Sequence, residues 1–67
     1  MNKQELDLLI TLKKSPFVNQ RTLAKDSGYS LGLVNSALKS LVEAGYLRSD
    51  FALTKKALAL FEANAPK

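Results

Sequence analysis

The chain has 67 residues, of which 46% are hydrophobic and 24% charged, and this composition is typical of one small globular domain covering residues 1–67. It contains no cysteine and no histidine, which excludes disulfides, thiolate metal sites and the commonest general base. The net charge of +4 favours an anionic partner.

The first predicted helix begins at a loose capping box, in which Asn2 is followed three residues later by Glu5. Its apolar residues form one wide face, made of Leu6, Leu8, Leu9, Ile10 and Leu12. The helix is expected to end at Ser15, because Pro16 disfavours helical geometry in the residue before it.

Two further helices are predicted on either side of a turn that contains Gly28. Asn19 is a suitable N-cap for the second helix and Ser30 for the third, while Gly28 and Gly45 are suitable left-handed C-caps. The inward stripe of the third helix is Leu31, Val34, Leu38, Leu41 and Val42. Helices of about seven and fourteen residues joined by such a turn match a helix-turn-helix unit.

Residues 46–53 are predicted to form a short β-hairpin, with Ser49 and Asp50 at its turn. Thr54 then caps a last helix that Pro66 closes. The apolar residues of this helix at helical spacing are Ala57, Leu58 and Phe61. The predicted fold is therefore a winged helix-turn-helix, mainly α with a small β-hairpin: a three-helix core, a short wing and a C-terminal helix. The first and last helices could also supply a homodimer surface.

The second helix of a helix-turn-helix enters the major groove of double-stranded DNA and presents its N-terminal residues to the base edges. In that position Asn35 could pair bidentately with adenine, Ser36 could bond several bases, and Leu33 could touch a thymine methyl group. The predicted DNA-binding residues are Gln20, Arg21, Ser30, Gly32, Leu33, Asn35, Ser36, Lys39 and Arg48.

Several of these residues suit the sugar-phosphate backbone rather than the bases. Gln20 and Arg21 stand at the start of the second helix, where the helix N-terminus also favours a phosphate. Gly32 allows a close approach of the protein backbone, and Lys39 is long enough to reach a phosphate. Arg48, at the wing tip, could enter a minor groove or touch the DNA backbone.

The six acidic residues are scattered along the chain, and there is no Ser–His or Cys–His set, no P-loop and no metal-ligand spacing. The sequence therefore predicts no enzyme activity, no cofactor and no metal. It shows no secretory signal and no apolar run near the roughly 20 residues that span a bilayer. This pattern predicts a cytoplasmic protein without a membrane partner.

A protein-interaction module is the competing hypothesis, since winged helices serve in that role as well as in DNA binding. Leu33 beside Gly32, with Leu31 partly exposed, could form a small apolar patch suited to a partner or to a dimer interface.

The stretch NQRTLAKDSGYSLGLVNSALKSLVEAGYL resembles the DNA-binding unit of MarR-like winged-helix regulators. The matching features are the polar N-cap, Leu-Ala in the second helix, Gly-x-Ser at the turn, Leu-x-x-Leu in the third helix and Gly-Tyr-Leu after it. The segment LTKKA is similar to the Leu-Thr-x-x-Gly that opens the last helix of such proteins, with Ala57 at the usual glycine. The resemblance implies a DNA-binding domain of a transcriptional-regulator type.

A narrower resemblance concerns SGYSLGLVNSALKSLVEAGYL and LTKKAL, which are similar to the N-terminal winged-helix segment of certain bacterial multidomain enzymes. Those enzymes carry a sugar- or choline-phosphate nucleotidyltransferase domain, often with a choline-kinase-like domain. This likeness implies the alternative function, a non-catalytic regulatory or protein-interaction module of such an enzyme. The chain ends at ANAPK, so the enzyme domain would be an intramolecular partner encoded beyond Lys67.

Overall fold

Four helices follow one another in the computed structural model, which describes residues 1–63. They are α1 (Lys3–Lys14), α2 (Gln20–Ser27), α3 (Leu31–Glu43) and α4 (Lys55–Ala63). α1, α2 and α3 pack against one another, with α2, a short turn and α3 forming the helix-turn-helix. The predicted closure of the last helix at Pro66 lies outside the described residues.

The helix ends are set by local hydrogen bonds, as predicted. The Glu5 amide donates to Asn2 Oδ1 at 2.8 Å and the Asn2 amide donates to Glu5 Oε1 at 3.2 Å, which completes the capping box. Asn19 and Ser30 cap α2 and α3 by accepting from backbone amides three residues later. Gly28 ends α2 at φ 81°, a left-handed conformation that is costly for residues with a Cβ atom.

The hydrophobic core lies where α1, α2 and α3 meet. Its buried members are Leu8, Leu9, Leu12, Leu23, Val34, Ala37, Leu38, Leu41, Leu47 and Ala57. Leu6 and Ile10, on the predicted apolar face of α1, remain 38% and 36% exposed. Leu31 was predicted on the inward stripe of α3 and is 46% exposed, which is the partial exposure that the interaction hypothesis assumed. The apolar arc of α1 is wider than the surface that α2 and α3 cover, so Leu6 and Ile10 lie on its uncovered flank. Leu31 begins α3 roughly 70° around the helix axis from the centre of the buried stripe.

The wing, residues 46–54, contains no β-strand in the described part of the chain, so the predicted hairpin is wrong as a pair of strands. A single antiparallel bridge joins Leu47 to Leu53. It is flanked by two hydrogen bonds, from the Arg48 amide to the Ala52 carbonyl and from the Thr54 amide to the Tyr46 carbonyl. The chain therefore reverses as predicted, but the pairing is one residue deep.

The turn of the wing explains why the pairing stops there. The Phe51 amide donates to the Arg48 carbonyl at 2.8 Å, and Phe51 adopts φ 66°, a position that glycine normally takes. The Ala52 amide donates to Asp50 Oδ1 at 3.1 Å, so a side chain within the turn takes the place of a cross-strand carbonyl. The Phe51 ring packs edge-on against Phe17 at 4.9 Å between centroids.

α4 is joined to the end of α3 mainly by polar contacts. The Thr54 hydroxyl donates to the Gly45 carbonyl at 2.6 Å and accepts from the Ala57 amide at 3.3 Å, which confirms Thr54 as the helix cap. Lys56 Nζ donates to the Ala44 carbonyl at 2.6 Å, so a cation supports the carboxyl end of α3. Among residues 55–62 of this helix only Ala57 is fully buried, and Leu58 is 47% exposed.

A side-chain hydrogen bond connects α1 to the turn of the helix-turn-helix, since the Tyr29 hydroxyl donates to Asp7 Oδ2. This bond, with burial and the Asp7 charge, raises the pKa of Tyr29 above its ordinary value of 10.0. A raised pKa in the folded state means that the contribution of Tyr29 to stability is complete below pH 10.0 and is lost as the pH rises through the raised pKa.

We therefore expect Tyr29→Phe to lower the melting temperature by a few degrees at neutral pH and to weaken the fall in stability at alkaline pH. The measurement is circular dichroism melting from pH 7 to pH 11, values that span the ordinary tyrosine pKa of about 10. Tyr46→Phe is the matched control, because it also removes one hydroxyl but keeps the ring that Lys56 covers. Identical melting profiles for Tyr29→Phe and the wild type would show that the Asp7 bond adds nothing to stability.

Candidate nucleic-acid interface

The outer side of α3 presents three exposed residues in one line: Gly32, Ser36 and Lys39. Their spacing of four and three residues places them on one helix face, and we call this line the crest. Val34 and Leu38, fully buried on the opposite side, hold the helix so that the crest faces outward. Glu43, one turn beyond the crest on the same helix face, is also exposed, so a negative charge follows Lys39 toward the carboxyl end of α3.

Leu33 lies off the crest, roughly 100° around the helix from Gly32. It is half-buried and lines a shallow cavity of about 230 Å³ between α3 and the start of α1. The other lining residues are Asn2, Gln4, Glu5, Ser36, Ala37 and Ser40. The predicted contact of Leu33 with a thymine methyl group would have to be made from this flank.

Asn35 lies on the other flank of the crest, beside α2. Its Nδ2 atom donates a hydrogen bond to Gln20 Oε1 at 3.0 Å, and both residues are half-buried. The structure thus brings together two predicted site residues that are fifteen positions apart in the chain.

The remaining predicted residues occupy the edges of this surface. Arg21 is exposed on the first turn of α2, and Ser30 is exposed while its hydroxyl accepts the capping bond from the Leu33 amide at 3.2 Å. Arg48 lies in the turn of the wing, with Nε 3.7 Å from Asp50 Oδ1. Both side chains of that pair are about two-thirds exposed, at 68% and 63%, so the pair is a weak surface contact that a phosphate could replace.

Comparison with known proteins assigns a family to this arrangement. Residues 1–48, which include α1, α2, α3 and the first three residues of the wing, match the family described as winged helix-turn-helix DNA-binding. The chain belongs to that family. No curated protein and no solved structure matches the chain.

The family match shows what kind of domain this is, but it does not assign a subtype within the family. It confirms a DNA-binding winged helix-turn-helix domain. It does not confirm the MarR-like subtype, and it lends no support to the narrower likeness to front segments of nucleotidyltransferases.

The part of the chain that the structure describes offers neither a metal site nor a membrane-spanning helix. Among residues 1–63 no group of three or more acidic side chains could hold a metal ion. Within the same part of the chain, no helix combines the length and the apolar character required to cross a membrane.

The hydrogen bond between Gln20 and Asn35 could not be predicted from either residue alone. Gln20 was expected to face a phosphate and Asn35 a base, and neither expectation implied that the two side chains touch. Each residue borders the buried stripe of its own helix, next to Leu23 in α2 and to Leu38 in α3. A polar residue at such a border, on each of two packed helices, is the signal that could have suggested the pair.

Proposed function

We propose that this domain binds double-stranded DNA in a regulatory role, with the crest of α3 in the major groove. The observation that carries the proposal is the crest itself, where two small residues and one lysine stand exposed on the recognition helix of a DNA-binding family. A small side chain at Gly32 and Ser36 lets the helix approach the base edges, and Lys39 suits a phosphate.

Exposed arginine residues on either side of the crest suit the same placement of α3 in the major groove. Arg21, exposed on the first turn of α2, suits a phosphate on one side of the groove. Arg48, exposed in the wing, suits the backbone or the minor groove on the other side. Glu43 and Asp50 limit the cationic surface, so this is a small interface with about three phosphate contacts.

The number of phosphate contacts sets the expected salt dependence and affinity of DNA binding. A protein that neutralises three phosphates has a slope of log K against log salt of about −2.7, at about −0.9 for each contact. Binding of one module without sequence preference falls at roughly 10⁻⁴ to 10⁻⁶ M at physiological salt. Regulation of one site would therefore need two such modules, as in a dimer.

The test is fluorescence anisotropy with a labelled duplex of about 20 base pairs, titrated at several salt concentrations between about 50 and 200 mM. We expect binding at low salt that weakens with a slope between about −2 and −4. Absence of binding at the lowest salt, or a slope near zero, would contradict the proposal.

Gly32 offers a variant that separates folding from DNA binding. A Cβ atom at position 32 would meet nothing within 4 Å, so the fold itself does not require glycine there. Because alanine is the better helix former, Gly32→Ala should stabilise the domain by up to about 1 kcal/mol. We expect the same change to weaken duplex binding several-fold, since the added methyl group stands between the α3 backbone and the groove.

Gly28→Ala is the matched control, because Gly28 has φ 81° and ends α2. It should destabilise the domain by about 1–2 kcal/mol through the left-handed backbone. Denaturant unfolding and anisotropy at a temperature where both variants are folded give the two readouts. If Gly32→Ala binds DNA as tightly as the wild type, close approach at position 32 is not needed.

A further inference from the structure

Gln20 and Asn35 form an amide pair that bridges the first residue of α2 and the second turn of α3. Asn35 Nδ2 donates to Gln20 Oε1 at 3.0 Å. An amide side chain carries two N–H donors and one carbonyl acceptor. After this bond, Asn35 retains one N–H and its Oδ1 atom, and Gln20 retains both N–H groups of Nε2. No other hydrogen bond to the described residues occupies these groups.

The groups left on Asn35 are those that adenine recognition requires. In the major groove adenine offers the N7 acceptor and the N6 amino donor, so an amide reads it with one N–H and one carbonyl oxygen. The bond to Gln20 uses the other N–H of Asn35 and leaves this pair available. Rotation of the Asn35 amide alone by half a turn would place Oδ1 against Gln20 Oε1, where two acceptors repel, and a phosphate bound by Gln20 Nε2 would keep Oε1 turned toward Asn35.

We infer that Gln20 is a positioning residue that fixes the Asn35 amide in one orientation and thereby gives the domain a preference for adenine at one base pair. The two N–H groups of Gln20 Nε2 would then bond the adjacent phosphate, at the N-terminus of α2. The pair would link one phosphate to one base, so that the register of the backbone contact determines which base is read. This inference rests on the proposed DNA-binding function.

Substitutions at Gln20 distinguish positioning from simple backbone contact. Gln20→Met keeps the side-chain volume but removes the acceptor that holds Asn35. Gln20→Glu keeps an acceptor oxygen, loses the Nε2 donors and adds a negative charge near the phosphate. Asn35→Ala removes the reading group itself.

The probes are duplexes of about 20 base pairs selected from a randomised library by the wild-type chain, each compared with a copy in which the selected A·T pair is replaced by G·C. A good bidentate contact discriminates roughly 5- to 150-fold between bases. We expect Gln20→Met and Asn35→Ala to lower this ratio to within about twofold of unity, and the double variant to match Asn35→Ala alone. Gln20→Glu should keep the ratio but bind both duplexes more weakly.

Melting temperatures establish that each variant is folded, and the NMR signals of the Asn35 side-chain NH₂ group give a readout that needs no DNA. In the wild type one of these protons should exchange slowly with solvent, and in Gln20→Met it should exchange freely. Fast exchange in the wild type would overturn the inference, as would an unchanged adenine preference in Gln20→Met. Salt-dependent binding without any base preference would overturn it while leaving the proposed function intact, whereas absence of all duplex binding would overturn both.

Discussion

Leu38→Ala is expected to unfold most of the domain at room temperature. Leu38 is completely buried and lies in the middle of α3, opposite the crest. Truncating a buried leucine costs about 2–5 kcal/mol, because the lost transfer free energy adds to the cost of the cavity. A single hydrophobic core of this size rarely supplies more than about 3–5 kcal/mol in total.

Far-UV circular dichroism during urea and thermal unfolding measures this effect. Lys39→Ala is the matched control, because it truncates the next residue along the same helix at an exposed position. Its melting temperature should stay within a few degrees of the wild type. If Leu38→Ala retained a cooperative transition near the wild-type midpoint, Leu38 would not lie in a core formed by α1, α2 and α3.

Reversal of two charges in one variant, Arg21→Glu with Lys39→Glu, is expected to abolish duplex binding without unfolding the protein. Both side chains are exposed, so the core is untouched. Loss of two phosphate contacts alone lowers affinity on the order of 100-fold at 50 mM salt, and the two new carboxylates add repulsion. Any residual binding should have a slope of log K against log salt that is closer to zero by about 1.8.

The control for this reversal is Lys14→Glu with Lys55→Glu, which makes the same change in net charge at exposed residues of α1 and α4. It should weaken binding only slightly, through the overall field of the protein, and should leave the salt slope nearly unchanged. Equal losses in the two double variants would mean that net charge, rather than contacts at the crest and the start of α2, governs binding.

The helix boundaries could be predicted from the sequence because capping is local. Asn2 with Glu5, and Asn19 and Ser30 each satisfy amides within the next turn, and such bonds need no information about the rest of the fold. Gly28 is similar, because its left-handed conformation follows from a missing side chain.

The exposed flank of α1 and the shape of the wing could not be predicted from local sequence, because they depend on contacts with other parts of the fold. Five leucine and isoleucine residues offer α1 more apolar surface than its neighbours cover, and only the packed helices decide that Leu6 and Ile10 stay outside. In the wing, the Asp50 carboxylate and the left-handed Phe51 shape the turn, and a single bridge stands where the sequence predicted a short hairpin with Ser49 and Asp50 at its turn.

The candidate DNA-binding site was likewise only partly predictable from the sequence. Periodicity along α3 was enough to predict that Ser36 and Lys39 share an exposed face. It could not show that Leu33 would line a shallow cavity beside the start of α1, or that Asn35 would bond to Gln20 in another helix. The second of these contacts depends on how α2 and α3 cross, which is a property of the whole core.

The most direct test of DNA binding through the crest is a titration of the ¹⁵N-labelled chain with a duplex of about 20 base pairs, followed by two-dimensional NMR. We predict that the largest changes in amide chemical shift fall on Arg21, Gly32, Ser36 and Lys39, with smaller changes on the wing. The amides of Leu6, Ile10 and Leu58, whose exposed side chains lie on α1 and α4, should stay nearly unchanged. DNA binding through the crest would be contradicted if the duplex shifted these three amides most and left the crest unaffected.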